Sequence, residues 1–105
     1  MPLFLIRRDI DDAASEEELE SAGFRAFCFT FLYGNMRWVT SYWDAEARSF
    51  FCIYEADNEE QLREHARRAR IPCDEIRQVN AVGPEKYVGE IGEPEALAEV
   101  ALLQS

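Results

Sequence analysis

Three side chains in the middle of the chain, Cys52, Glu55 and His65, offer the thiolate, carboxylate and imidazole groups that can bind a metal ion. Glu55 lies just before the turn into the helix predicted to carry His65, and we expect both to face the helix-covered side of a sheet. Cys52 is offset from Glu55 by three positions along a strand, which sends it to the opposite face. A single metal ion bound by one subunit therefore cannot easily use all three ligands.

Each of these residues also has a purely structural interpretation. His65 lies beside the apolar stripe of its helix, where a hydrogen-bonded core histidine is the commoner occupant. Cys52 is equally well explained as a small apolar filler at an interface. Cys28 and Cys73 have no histidine or cysteine neighbours and are most simply packing residues. The residues alone leave the metal site and the core as open alternatives.

The elements that must position these side chains follow one another as strand, helix, strand, strand, helix, strand. Ser15 and Glu18 form a capping box before the first helix, and Asp57 with Glu60 is predicted to cap the second. The predicted elements span residues 3–6, 15–33, 37–43, 49–56, 57–70 and 76–82, with a further helix over 94–103. Two crossover units joined by a hairpin predict an α+β fold, the ferredoxin-like αβ sandwich, in which a four-stranded antiparallel sheet carries two helices on one face. Residues 1–82 form this domain, and 83–105 extend it.

Both faces of the predicted hairpin are rich in apolar residues. Simple alternation assigns Trp38, Thr40, Tyr42, Phe50, Cys52 and Tyr54 to one face and Val39, Ser41, Trp43, Phe51, Ile53 and Glu55 to the other. We expect the first set to lie on the face without helices. On the first helix, Phe24, Phe27, Cys28 and Phe31 form the apolar stripe expected against the sheet. An open aromatic face of this size predicts burial against a ligand or a second subunit, and so a homodimer.

Composition excludes several classes of function. The chain has 105 residues, of which 48% are hydrophobic, and these values fit one domain. Its net charge of −10 disfavours nucleic-acid binding, which needs a basic surface. No apolar stretch approaches the ~20 residues needed to span a bilayer, and the N-terminus places its charges after its apolar run, the reverse of a signal peptide. Three cysteines without a Cys-x-x-Cys pair fit reduced thiols. We therefore expect a cytoplasmic protein with no membrane partner.

Four short segments resemble a known family: Trp38–Tyr42, Phe51–Ala56, Glu64–Ala66 and Ile71–Pro72. They are similar to small bacterial proteins grouped as a domain of unknown function around an actinobacterial nickel-binding protein, over roughly residues 3–82. The resemblance implies a ferredoxin-like sandwich, a dimer and nickel as a candidate cofactor. It assigns Cys52, Glu55 and His65 to the family's recurrent polar positions, and Ser41 and Tyr42 to the first strand of its hairpin. Relatives often have a histidine where this chain has Thr40, which implies weaker metal binding here.

Two functions of different classes follow. The first is a small metal-binding module, with nickel as the candidate metal and His65, Glu55 and Cys52 as ligands. The second is a dimeric αβ-barrel-type enzyme or small-molecule-binding protein, with Tyr42, Tyr54 and Ser41 as ligand contacts on the aromatic face. The sequence shows no set of nucleophile, base and orienting residue and no cofactor motif, so no catalytic residue is assigned and a non-enzyme is favoured. A plain interaction domain is the third alternative.

Overall fold

The computed structural model describes residues 1–87 and 94–105. Its first 79 residues contain four strands and two helices in the order strand, helix, strand, strand, helix, strand. The elements are β1 (Leu3–Asp9), α1 (Glu16–Thr30), β2 (Arg37–Asp44), β3 (Ser49–Glu55), α2 (Glu59–Ala69), β4 (Glu75–Val79) and α3 (Pro94–Gln104). The sheet order is β2-β3-β1-β4, and all neighbouring strands are antiparallel. The predicted ferredoxin-like α+β fold, with its extra C-terminal helix, is confirmed. Within the described ranges, no helix combines the length and the apolar character that crossing a membrane requires.

Local side-chain chemistry sets the helix ends. Ser15 Oγ accepts a hydrogen bond of 3.1 Å from the Glu18 amide, so Ser15 is the N-cap of α1, as predicted. The cap of α2 is Asn58 and not the predicted Asp57, because the Asn58 side chain accepts from the Gln61 amide at 2.9 Å. Helix α2 ends at Ala69, and Arg70, whose backbone is left-handed (φ 59°), is its C-cap. The two helices therefore begin and end within a few residues of the predicted positions.

The side chains of β3 lie on the reverse faces of the sheet from those predicted. Phe4 and Ile6 of β1 are buried, and they lie opposite Tyr54 and Cys52 of β3, which are buried as well. Directly opposite residues in an antiparallel pair point to the same face. Cys52 and Tyr54 therefore lie beneath the helices, and Glu55 lies on the open face.

A bulge in β2 further changes which side chains share a face. Trp38 lies opposite Tyr54 and Ser41 lies opposite Cys52, with the register shift between Trp38 and Thr40. The extra residue breaks simple alternation, so Trp38 and Ser41 both face the helices. Tyr42 lies opposite Phe51 on the open face and is 63% exposed. The predicted grouping of Tyr42 with Tyr54 on one open aromatic face is wrong.

Helix α1 turns small side chains toward the sheet. Ala26 is buried, whereas Phe24, Phe27 and Phe31 are between 49% and 74% exposed, so the predicted Phe stripe faces solvent. The side of α1 that faces the sheet is the opposite one, and it also includes Ala22 and Gly23. Because these residues carry little or no side chain, the layer between α1 and the sheet is left incompletely filled.

Candidate ligand pocket beneath the first helix

A cavity of about 170 Å³ lies between α1 and the covered face of the sheet. The cavity is partly open to solvent, and an apolar space of ~150 Å³ is large enough to admit benzene. Arg8, Ile10, Leu19, Ala22, Gly23, Ala26, Trp38, Ser41, Phe50, Cys52, Tyr54, Ile71 and Pro72 line it. The wall is thus largely apolar, with a few polar groups contributed by the central strands.

Arg8 is the most unusual of these polar groups. It is 5% exposed, and its Nη1 donates a hydrogen bond to the carbonyl oxygen of Pro72. Its Nη2 is buried and has no hydrogen-bond partner, and no ion pair among the described residues includes it. A buried charge without a counter-charge costs several kcal/mol. The fold therefore holds a buried positive charge with an unused donor on a residue that borders the cavity.

Tyr54 and Ser41 supply neutral hydroxyl groups in the same wall. Tyr54 stacks on Trp38 with ring planes 6° apart, and the Arg8 guanidinium carbon lies 5.7 Å from its ring centroid. Burial raises the pKa of Tyr54 to about 12, although the charge of Arg8 opposes that rise, so the phenol stays protonated at neutral pH. Ser41 Oγ accepts a 2.8 Å hydrogen bond from the Trp38 indole N–H. Its own hydroxyl hydrogen is then free to donate.

His65 is fully buried and packs against Tyr54, with ring centroids 5.5 Å apart. Its Nε2 lies 2.8 Å from the carbonyl oxygen of Ala26, which can only accept, so Nε2 carries the proton and Nδ1 bears the lone pair. Nδ1 is buried without a partner. Burial is the main reason that the pKa of His65 is lowered; the positive charge of Arg8 adds to the effect, and the hydrogen bond to Ala26 opposes it. The imidazole is therefore neutral at neutral pH.

The structure separates Glu55 from the other two predicted metal ligands. Glu55 lies on the open face and accepts from Arg37 Nη2 at 2.8 Å and from Nε at 3.1 Å. This hydrogen-bonded pairing lowers the pKa of Glu55, and the predicted approach of Glu55 to His65 is wrong. Across residues 1–87 and 94–105, no three His, Cys, Asp or Glu side chains are grouped to hold a metal ion. The residues present do not fit a nickel site built from all three predicted ligands of one subunit.

The predicted ligand contacts are likewise split between the two faces of the sheet. Ser41 and Tyr54 line the cavity together with Cys52, whereas Tyr42 lies on the other side of the sheet. Arg8 was not predicted as a site residue. The sequence signal for it was the alternation Phe4, Ile6, Arg8: extending the first predicted strand beyond Ile6 places this arginine on the same face as two apolar residues.

Comparisons with known proteins agree with the fold. The sequence profile of a family described as "Nickel responsive protein SCO4226-like" matches residues 4–79. The crystal structure of SCO4226 from Streptomyces coelicolor A3(2) is similar, with a TM-score of 0.66 and 17% sequence identity, over 77% of this chain and 99% of that chain. At that identity the similarity shows a shared fold. A search of curated proteins found no match.

Proposed function

This chain belongs to the nickel responsive protein SCO4226-like family, and from its largely apolar cavity we propose that it binds a small organic ligand between α1 and the sheet. The observation that carries the proposal is the cavity of about 170 Å³, whose wall is almost wholly apolar although Arg8, Ser41 and Tyr54 are among the residues that line it. Binding sites for small molecules are typically apolar clefts with a few fixed polar groups. The family description does not specify such a ligand, so the proposal depends on the pocket.

We propose binding and not catalysis. Ser41, the obvious nucleophile in the wall, faces the indole N–H of Trp38, which is a donor and cannot remove its proton. The Tyr54 phenol has a raised pKa, and therefore it does not serve as a base at neutral pH. The groups that surround the cavity thus orient a ligand without activating it.

Filling the cavity tests this proposal. A Cβ added at Gly23 meets no atom within 4 Å, so Gly23→Ala should fold normally and leave most of the space open. Gly23→Leu should occupy the cavity with a larger side chain. Titration with benzyl alcohol and with benzoate, followed by NMR, should give saturable binding to the wild type and to Gly23→Ala and a loss of at least tenfold in affinity for Gly23→Leu. If neither compound binds the wild type, the proposed pocket is wrong.

Nickel is the second candidate ligand, and the orientation of His65 favours it. Metal-binding histidines commonly donate one ring N–H to a carbonyl oxygen and present the other nitrogen to the metal. His65 donates to Ala26 in this way and leaves Nδ1 without a partner, and Cys52 lies on the same covered side of the sheet. The nearby charge of Arg8 opposes a bound cation, so we expect weak binding.

Calorimetry with Ni²⁺ on the tag-free protein tests this second candidate. We expect His65→Ala to abolish the heat of binding and Cys52→Ser to reduce it. Glu55→Gln is the matched control, because the Glu55 carboxylate is held by Arg37 on the other face. Equal heats for wild type and His65→Ala would remove His65 from any nickel site.

We also propose a cytoplasmic homodimer. The open face of the sheet includes the partly exposed apolar residues Leu3, Leu5, Phe51 and Ile53, and a second copy would cover them. The three cysteines are free, as expected in a reducing compartment. Light scattering after size exclusion should give twice the mass of one chain, and Phe51→Lys should halve it. A monomeric wild type would contradict the dimer.

A further inference from the structure

We propose that the pocket beneath α1 selects a neutral, largely apolar molecule of about the size of a benzene ring, and that it discriminates against ligands that carry a charge. This inference rests on the proposed binding function and names its ligand class. Three observations support it: the apolar wall of the cavity, the engagement of the polar atoms of the lining residues elsewhere in the fold, and the neutral state of the phenol in the same wall.

The cavity presents an almost wholly apolar surface to its occupant. Leu19 of α1 contributes an aliphatic side chain, and the sheet contributes the rings of Trp38, Phe50 and Tyr54. An apolar molecule that leaves water for such a surface gains free energy in proportion to the area that it buries. Because an apolar space of ~150 Å³ admits benzene, about 170 Å³ admits one ring with a small substituent.

The polar atoms of the lining residues are hydrogen-bonded within the protein or enclosed by it. Arg8 Nη1 donates to the carbonyl oxygen of Pro72, and Nη2 is buried. Ser41 Oγ accepts a 2.8 Å hydrogen bond from the Trp38 indole N–H, which leaves one hydroxyl hydrogen. A carboxylate or an ammonium group that entered the cavity would lose its water and find too few partners to replace it, whereas a neutral ligand loses much less.

The phenol of Tyr54 shows how this wall acts on a negative charge. Burial raises the pKa of Tyr54 to about 12, although the guanidinium carbon of Arg8 lies 5.7 Å from the ring centroid and its positive charge favours the phenolate. Loss of hydration therefore outweighs the attraction of Arg8 at this position. An anionic ligand beside Tyr54 meets the same balance, and the charge of Arg8 additionally repels a cation.

Three molecules with the same ring and different charges give the first test: benzyl alcohol, benzoate and benzylamine. Each would be titrated at neutral pH into the tag-free protein, with binding followed by calorimetry and by NMR. We expect benzyl alcohol to bind one site per chain, and benzoate and benzylamine to bind that site at least tenfold more weakly. If either ion binds as tightly as benzyl alcohol, the inference on charge is overturned and the proposed pocket stands. If none of the three binds, both are overturned.

Two substitutions at Leu19 test whether the apolar wall is responsible. Leu19 is half-buried on α1 and lines the cavity, and glutamine and methionine are both good helix formers. Leu19→Gln adds a polar group and should lower the affinity for benzyl alcohol at least fivefold, whereas Leu19→Met keeps the wall apolar and should change it by less than threefold. Unchanged affinity in a folded Leu19→Gln protein, or an equal loss in Leu19→Met, would overturn the inference. If Leu19→Gln does not fold, the comparison of the three ligands in the wild type still decides it.

Discussion

Polar side chains have charged partners on the open side of the sheet, and some lack partners on the covered side. On the open face, charged side chains are paired: Arg37 holds Glu55 at 2.8 Å, and Arg7 and Arg77 both approach Glu75. On the covered face and on the helix α2 that packs over it, Arg8 and His65 are almost fully buried, and each has a nitrogen without a partner. Polar groups are cheapest to leave unpaired where water can reach them, so this distribution is the reverse of what stability alone favours.

The contrast indicates where function resides in this molecule. Exposed ion pairs contribute little to stability and are common on any surface. Buried donors without acceptors are uncommon, and they cluster where a protein binds something. The covered face also contains the cavity, so the unused donor of Arg8 and the unfilled space occur together. The four predictions below test this contrast between the faces.

Truncating one tyrosine on each face should give the largest difference. Tyr54→Ala removes a side chain that is 1% exposed and should destabilise the fold by about 3–5 kcal/mol. Tyr42→Ala removes the same groups from the open face, where Tyr42 is largely exposed, and should change stability by less than about 0.5 kcal/mol. Urea denaturation of both variants measures the difference. Similar losses of unfolding free energy in Tyr54→Ala and Tyr42→Ala would contradict the burial of Tyr54 and the exposure of Tyr42.

On acidification, the stability that depends on a neutral His65 should be lost at a higher pH than the stability that depends on the open-face carboxylates. The pKa of His65 is lowered from 6.5 in the fold by burial, so the unfolded chain takes up a proton that the folded chain resists, and stability falls as the pH drops below about 6.5. The pKa values of Glu55 and Glu75 are lowered from 4.5 by their arginine partners, so their contribution is lost only at more acidic pH. Urea midpoints from about pH 7 to about pH 5 should decrease for the wild type and stay nearly level for His65→Gln. A wild-type midpoint that does not fall over this range would contradict the buried, neutral imidazole.

The incomplete packing beneath α1 should allow a stabilising substitution. Gly23 lies within a helix, and a Cβ there meets no atom within 4 Å. Gly23→Ala should therefore raise stability by about 0.5–1 kcal/mol through helix propensity. Thermal unfolding would measure it, with Ala22→Gly as the reciprocal change of opposite sign. A loss of stability in Gly23→Ala would mean that the space is already filled.

The smallest effect is expected at the open-face ion pair. Arg37 is exposed and Glu55 is partly exposed, so solvent screens their ion pair and Glu55→Gln should leave the urea midpoint unchanged within error. Nickel titration of this variant should match the wild type as well. A clear loss of either property would place Glu55 in a site that its pairing with Arg37 does not account for.

The order of elements was predictable from the sequence, whereas the orientation of the sheet was not. Strand β1 has apolar residues on both alternations, Leu3 with Leu5 and Phe4 with Ile6, so periodicity cannot decide which pair faces the helices. The bulge beside Val39 has no signal in the sequence, because valine is an ordinary strand residue. Arg8 was missed because two consecutive arginines indicate the end of a strand, and here the strand continues to Asp9.

Chemical-shift mapping with benzoate reports which face of the sheet binds the ligand. With assigned methyl groups, we expect saturable shifts for Leu19, Ala22 and Ala26 around the cavity and no change for Leu3, Leu5 and Ile53 on the open face. Shifts confined to the open-face methyl groups, or no shifts at saturating benzoate, would contradict binding beneath α1.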